Sequence, residues 1–381
     1  PPSVACMAGR LLSLDFEDAL AQVECDLAAA VANAAAFMLN AACQPPQTLL
    51  DDCQRVLAAG LPTMAASCSD WRFLMNRRIG HSYKARNPAL VWLDDKVLQV
   101  VHAEGFVGER LHLPILAHAC AHDSVAVASL HSSVVRHVAA KDPVVLKPRH
   151  GSNSKHVHLW PQLVNLSPAE LCDCVNKCLH AYDESWRKES WNQNAVPHGA
   201  LLQPMYRAME LGSEEVTMEA STLQFRPLEL KVQVLFGEVV AGTLNTHSQV
   251  LWVTRDGCVQ LWDETARAKW MPKSRVSRVG SLPRRALDVL LSSLRVHWSR
   301  IRCLSERLAR SVGLDELRVD WLLGDECWGP VVGELTYMGT FALAVRPMSL
   351  RLARAFAASH LRRVGQLNAS VDEVGGHSNQ W

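Results

Sequence analysis

The sequence predicts an α+β fold of short antiparallel hairpins and long amphipathic helices. Three observations predict it. Leu317–Thr340, LRVDWLLGDECWGPVVGELTYMGT, reads as two apolar strands around a turn carrying Gly324, Asp325 and Gly329-Pro330. Pro227–Thr246 reads as a second hairpin, with Leu230, Val232, Val234 and Phe236 alternating onto one face. Pro283–Val312 places Leu287, Leu290, Leu291, Leu294, Trp298, Ile301, Leu304 and Leu308 on one helical stripe, closed by Gly313.

The remaining elements divide the chain into five segments. Residues 1–65 are Ala-rich and helical in pattern, broken at Gln44-Pro45-Pro46 and again at Gly60 and Pro62, and carry no nameable chemistry. Residues 66–142 mix short elements and end in an amphipathic helix over Ser124–Ala140. Residues 143–205 open on the strand Val144–Leu146, which runs into Lys147. A helix over Asn165–Glu189 follows, with Ser167 as N-cap, Pro168 at the first helical position and Glu170 completing a capping box. The segment closes on the strand Ala200–Tyr206, with Pro204 near its exit. Residues 206–345 hold the hairpin Pro227–Thr246, turning at Gly237-Glu238, and a further hairpin Gln249–Trp262 over Asp256-Gly257. The long helix and the hairpin of Leu317–Thr340 complete that segment. Residues 346–381 add a basic helix over Pro347–Arg363 and a loose tail.

Composition narrows the function. In 381 residues, 49% are apolar and 20% charged, and the net charge is +1, so neither nucleic acid nor an anionic membrane is expected as the general partner. Twelve cysteines are scattered without the spacing of a small secreted domain, which points to a reducing compartment and a cytoplasmic location. Cys25–Cys43 is apolar but interrupted by Asp26, Asn33 and Asn40, so a packed helix is expected there and no membrane span. The chain begins at Pro1, which reads as part of a longer polypeptide.

The chemistry lies in carboxylates and lysines. Asp320 and Glu334 each fall inside an apolar strand of one hairpin. A buried carboxylate is unfavourable unless it is paired or holds a metal, and oxygen ligands converging from adjacent strands suit Mg²⁺. The other reading of the same pair is a salt bridge to buried arginines. Arg318, two residues before Asp320, would share its side of the strand. Asp142–His158, DPVVLKPRHGSNSKHVH, puts Lys147 at the end of a strand and follows it with a loop containing Arg149, Gly151, Ser152 and Ser154, a composition suited to phosphates. Neither GxxxxGK[ST] nor GxGxxG is present. Lys231, opposite Leu230 and Val232, would point to a cleft. His118 and His122 in HACAH would share a helix face, but the Glu of HExxH is missing and no third ligand is evident. Cys172, Cys174 and Cys178 cannot meet at one point from a single helix, and read as core residues.

In order along the chain, LDDK at Leu93–Lys96, VVLKPRHGS at Val144–Ser152, ELKVQVLFGE at Glu229–Glu238 and RVDWLL…VGELTYMG at Arg318–Gly339 resemble the ATP-grasp superfamily. More narrowly, they resemble the TupA-like ATP-grasp proteins of polysaccharide biosynthesis. The resemblance spans roughly Leu93 to Gly339 and implies two α+β lobes clasping ATP. It implies that Lys96, Lys147, Lys231 and the loop of Arg149, Gly151, Ser152 and Ser154 contact the nucleotide. Asp320 and Glu334 would hold one or two Mg²⁺, with Thr336 where many members have Asn. The strand Ala200–Tyr206 would meet the adenine edge, with Gln203 where the family often has an acid. Arg318 and Lys231 would assist phosphoryl transfer, and Arg226 and Arg255 are candidate anchors for an acidic acceptor.

The activity implied is an ADP-forming carboxylate–amine ligase that works through an acyl-phosphate on small-molecule or glycan-linked substrates. Two alternatives stand beside it: a kinase of the same fold acting on a sugar-like hydroxyl, and a non-catalytic nucleotide-binding module.

Overall fold

The computed structural model describes residues 75, 79–80, 82–84, 86–152, 155–161, 166–183, 186, 191–206, 228–244, 250–257, 259–262 and 284–337. The expectations for residues 1–65 and 346–381, and for Ser154 and Arg226, lie outside them. The α+β class is borne out. Among the described residues there are two antiparallel sheets, each with its own helical cover and its own apolar core.

The smaller sheet has four strands: β1 (Ala117–Cys120), β2 (Val144–Pro148), β3 (His158–Trp160) and β4 (Gly199–Pro204), in the order β1-β4-β2-β3. Helices α2 (Ser124–Ala139) and α3 (Pro168–Leu179) cover it. Leu130, Val134, Leu146, Val175 and Leu202 are fully buried between sheet and helices. The capping box of α3 forms as expected: Ser167 N donates to Glu170 Oε2 at 2.7 Å, and Glu170 N donates to Ser167 Oγ at 3.3 Å. The helix nevertheless ends at Leu179, ten residues before the sequence pattern suggested. His180 leaves helical geometry, and Ala181 and Trp186 are buried instead. There the Ala181 carbonyl accepts from His150 Nε2 at 2.8 Å. Tertiary burial outweighs helix continuation. A short helix, α4 (Trp191–Ala195), then leads into β4.

The larger sheet has six strands: β5 (Leu228–Leu235), β6 (Glu238–Leu244), β7 (Val250–Thr254), β8 (Val259–Trp262), β9 (Glu316–Leu323) and β10 (Val331–Thr336), in the order β10-β9-β5-β6-β7-β8. The long helix α5 (Arg284–Val312) packs on one face and is stopped by Gly313 at φ 73°. Leu230, Val232, Val234, Leu317, Val319, Trp321 and Leu323 meet Leu294, Ile301, Leu304 and Leu308 in one core. Each such side chain stabilises the fold by roughly 1.5–3 kcal/mol. The β5–β6 turn falls at Phe236-Gly237, both at positive φ (52° and 80°), rather than at Gly237-Glu238. Glu238 is already in β6, paired with Leu235. Two left-handed residues match the right-handed twist of a two-residue hairpin.

Helix α1 (Lys96–Val107) joins the two sheets. Asp95 caps it, accepting from Val97 N at 3.0 Å and Leu98 N at 3.2 Å. Gln99 ties it to β10, donating to Leu335 O at 2.9 Å and accepting from Leu335 N at 3.1 Å. On the other side, Lys96 N donates to Arg149 O at 3.2 Å, just beyond β2. No described helix is long and apolar enough to cross a membrane.

Candidate active site

The site is built on the face of the larger sheet that α5 leaves open. Strand register lines up Glu334 on β10, Asp320 on β9 and Lys231 on β5 as cross-strand neighbours, with Thr336, Arg318 and Gln233 forming the next row. Strand periodicity alone would not produce this line, because Val332 pairs with core-facing Trp321. The register shifts between Val332 and Glu334, where the extra residue Gly333 turns Glu334 onto the Asp320 face.

Asp320 is wholly buried, and both its oxygens are engaged. Arg318 Nε donates to Oδ1 at 2.7 Å and Nη2 to Oδ2 at 2.8 Å, while Lys231 Nζ donates to Oδ2 at 2.7 Å. Arg318 also donates to Thr336 Oγ1 at 3.0 Å. Burial pushes Asp320 toward protonation, but Arg318 and Lys231 outweigh it and hold the carboxyl below its ordinary range. Lys231 also pairs with Glu229 at 2.9 Å. Burial, together with the nearby Asp320, raises Glu229 above the usual carboxylate range. Lys231 itself rises despite burial, because Asp320 and Glu229 face it.

Glu334 differs in keeping 32% of its side chain exposed, against 0% for Asp320. Lys96 Nζ donates to Glu334 Oε1 at 3.2 Å and also to the carbonyl of Gly151. Burial pushes Glu334 up, yet Lys96, Arg318 and Lys231 together bring it below its ordinary value. Lys147, on β2, comes into the same electrostatic neighbourhood. Burial first, then Lys96, pulls its ammonium down to about 8, with Glu334 acting the other way. Among the described residues the Lys147 ammonium makes no hydrogen bond and no ion pair.

The structure therefore brings together Lys96, Lys147, Gly151, Lys231, Arg318, Asp320, Glu334 and Thr336. Arg149 is directed elsewhere. Its Nε reaches Asp95 Oδ1 at 2.8 Å and its Nη2 reaches Oδ2 at 2.6 Å, a buried pair that fixes the start of α1. Ser152 O accepts from Trp186 Nε1 at 3.2 Å. Gln203 is buried and donates to Leu113 O at 2.9 Å. Arg255 faces Glu306 at 3.2 Å and Glu238 at 3.6 Å. His118 lies on strand β1 and His122 in the turn after it, so they do not share a helix face. The sequence reading expected a helix there because HACAH alternates ambiguously; its strand state comes from pairing with β4. Five described cysteines are free thiols and Cys303 is disulfide-bonded, which the reducing-compartment reading does not call for.

Sequence reasoning missed Glu229 and Gln99 as parts of the site, and placed Asp95 near it only through the resemblance at Asp95-Lys96. Glu229 stands two residues before Lys231 on one strand, and period-two spacing could have found it. Gln99 and Asp95 act through contacts with β10 and β2 that local pattern does not carry.

Glu334, Asp320 and Thr336 offer two carboxylates and a hydroxyl, all hard oxygen donors. Among the described residues no group of three or more His, Cys, Asp or Glu is arranged to hold a metal ion. A magnesium ion at these donors would take its remaining ligands from phosphate or water, as Mg²⁺ ordinarily does. Across the cluster, four cations face three carboxylates, an excess that favours an anionic ligand.

No family model and no curated protein matches this chain. Among solved structures, it is similar to D-cycloserine synthetase DcsG, at 14% identity and a TM-score of 0.39 over 70% of each chain. It is similar to D-alanyl-alanine synthetase A from Vibrio cholerae, at 10% identity and a TM-score of 0.38 over 72% of this chain and 66% of that one. It is also similar to biotin carboxylase from Campylobacter jejuni, at 12% identity and a TM-score of 0.35 over 71% of this chain, where it spans 47% of that chain. These likenesses are low in identity and in score, so the functional argument rests on the site.

Proposed function

We propose that this chain is an ATP- and Mg²⁺-dependent ligase of the ATP-grasp type, joining a carboxylate to an amine through an acyl-phosphate with release of ADP. The observation that carries the proposal is Lys147. A partly buried ammonium with no partner among the described residues, beside the Lys96–Glu334 pair, is unfavourable unless an anion completes it. A polyphosphate is such an anion.

In this reading residues 143–205 and 206–345 form the two lobes, and residues 66–142 add α1 between them. Bound MgATP supplies the phosphoryl group. Lys147 and Lys96 would hold phosphate oxygens, with the backbone at Gly151 and Ser152 beside them. Asp320, Glu334 and Thr336 are the magnesium donors. Lys231 and Arg318 offset the charge that develops on the transferred group and on the carboxylate substrate. Asp320 would be released for metal as Lys231 or Arg318 turns toward phosphate, so the local charge stays balanced. Gln203 on β4 would meet the adenine edge. Arg149 acts from behind, fixing Asp95 and hence Lys96. The TupA-like subtype and glycan-linked substrates rest on the sequence resemblance alone, and a cytoplasmic location rests on the scattered cysteines.

One observation favours a second reading, a non-catalytic module: Asp320 is already neutralised by Arg318 and Lys231 without a metal. Release of ADP and phosphate on adding a carboxylate and an amine separates the two, and calorimetric titration of the chain with ATP, with and without Mg²⁺, tests the nucleotide site that both need. Magnesium-dependent binding that is lost in Lys147→Met supports that site. No ATP binding by the unaltered chain overturns it.

A further inference from the structure

His112 is the most isolated polar side chain next to the site. It is 3% exposed, and neither Nδ1 nor Nε2 has a hydrogen-bond partner. Its backbone is held by comparison: His112 N donates to Glu104 Oε1 at 3.2 Å, and the residue forms a parallel bridge to Val332 of β10. A buried imidazole with both nitrogens unanswered is unfavourable by the desolvation of two polar atoms. Such an atom pair in a native protein calls for an explanation, and a ligand is one.

Position says which ligand part. His112 stands where the two sheets meet: its neighbour Leu113 accepts from Gln203 of β4, and Val332 belongs to the hairpin of Glu334. Leu111, Leu113, Val331 and Val332 around this segment are all buried and apolar. Burial, then the Lys147 ammonium, holds the ring neutral, with its pKa down at about 3. A neutral imidazole carries one donor and one acceptor. Buried apolar side chains around one polar edge suit a heteroaromatic ring more than a phosphate, and in the proposed reading Lys96, Lys231 and Arg318 serve the phosphate end.

We infer that His112 hydrogen-bonds the edge of a purine base bound between the two sheets, making it a specificity-determining residue of the nucleotide site. This inference rests on the nucleotide-binding reading of that site.

The test is calorimetry of the full chain with MgATP and, separately, with magnesium tripolyphosphate, on the unaltered protein, His112→Phe, His112→Asn and Lys147→Met. His112→Phe is expected to weaken ATP about tenfold while leaving tripolyphosphate unchanged. His112→Asn, which keeps a donor and an acceptor, is expected to recover part of the loss. Lys147→Met should weaken both ligands. Equal ATP affinity in His112→Phe and the unaltered chain overturns the inference, and so does equal weakening of both ligands. Failure of the unaltered chain to bind either ligand overturns the nucleotide-site reading itself. Should His112→Phe not fold, ¹⁵N resonances of the His112 ring in the unaltered protein decide. A shift with ATP but not with tripolyphosphate supports the contact, and none with ATP overturns it.

Discussion

Lys96 and Glu334 are 238 positions apart in the chain and meet at 3.2 Å, bridging the first residue of α1 and the open face of β10. The same ammonium reaches the Gly151 carbonyl beyond β2, so one side chain joins the helix, the larger sheet and the loop after Lys147. Glu334, like Glu229, is thus a partly exposed carboxylate in a cluster whose third acid, Asp320, is closed off. Glu334→Gln keeps the shape and removes the charge. It is expected to weaken magnesium-dependent ATP binding by at least about tenfold, because charge-assisted contacts are the stronger ones. Calorimetry in the presence and absence of magnesium checks this, and unchanged affinity would remove Glu334 from the metal site.

Lys147 gives a pH dependence with a definite sign. Its pKa in the folded chain is about 8, below the ordinary 10.5, so between those values the unfolded chain binds a proton that the folded chain does not. Stability without ligand therefore gains from this residue as pH rises from about 8 to 10.5. Anion binding needs the ammonium and runs the opposite way. ATP affinity is expected to fall as pH passes upward through about 8, and Lys147→Met should flatten that profile. Titrations at pH 7 and pH 9 suffice.

Arg318 makes two of the three hydrogen bonds to wholly buried Asp320. Removing one partner of a buried ion pair leaves a charge only partly compensated, so Arg318→Met is expected to destabilise the fold by about 3 kcal/mol. Lys231→Met should lose less, since Arg318 remains. Asp320 sits below its ordinary pKa, so its contribution is present above about 3.8 and is lost as pH falls further. Urea unfolding of both variants at pH 7, and of the parent under acid, measures these terms. Equal losses in the two variants would contradict the ordering.

Gly199 starts β4, where an added Cβ would run into the Ala119 carbonyl oxygen of β1 and crowd Arg149. The clash is with backbone and cannot be relieved by a rotamer change. Gly199→Ala is expected to destabilise by roughly 1–3 kcal/mol, read as a lower thermal midpoint. An unchanged midpoint would mean that β1 and β4 are less tightly paired than the register implies.

Much of the framework was legible in the chain. The stripe from Leu294 to Leu308, the alternation of Leu230, Val232 and Val234, the capping box at Ser167 and the turn glycines all follow from local periodicity and backbone sterics, which act over a few residues. The pairing of Asp320 with Glu334 was legible as well, since both lie on one short hairpin. The end of α3 was not, because burial of Ala181 and Trp186 stops a helix whose own pattern would continue.

By itself, the sequence determined the residue types of the site: two acids in apolar strands, lysines leaving strands and a small-residue loop. Tertiary structure decided which of them meet. The bulge at Gly333 turned Glu334 to the Asp320 face, β5–β9 register set Lys231 against Asp320, the Arg149–Asp95 pair delivered Lys96, and a loop crossing left His112 buried without a partner. Apart from the Asp320–Glu334 hairpin, the pairings that assemble the site join residues about 50 to 240 positions apart, fixed by register and burial, and no local pattern encodes such distances.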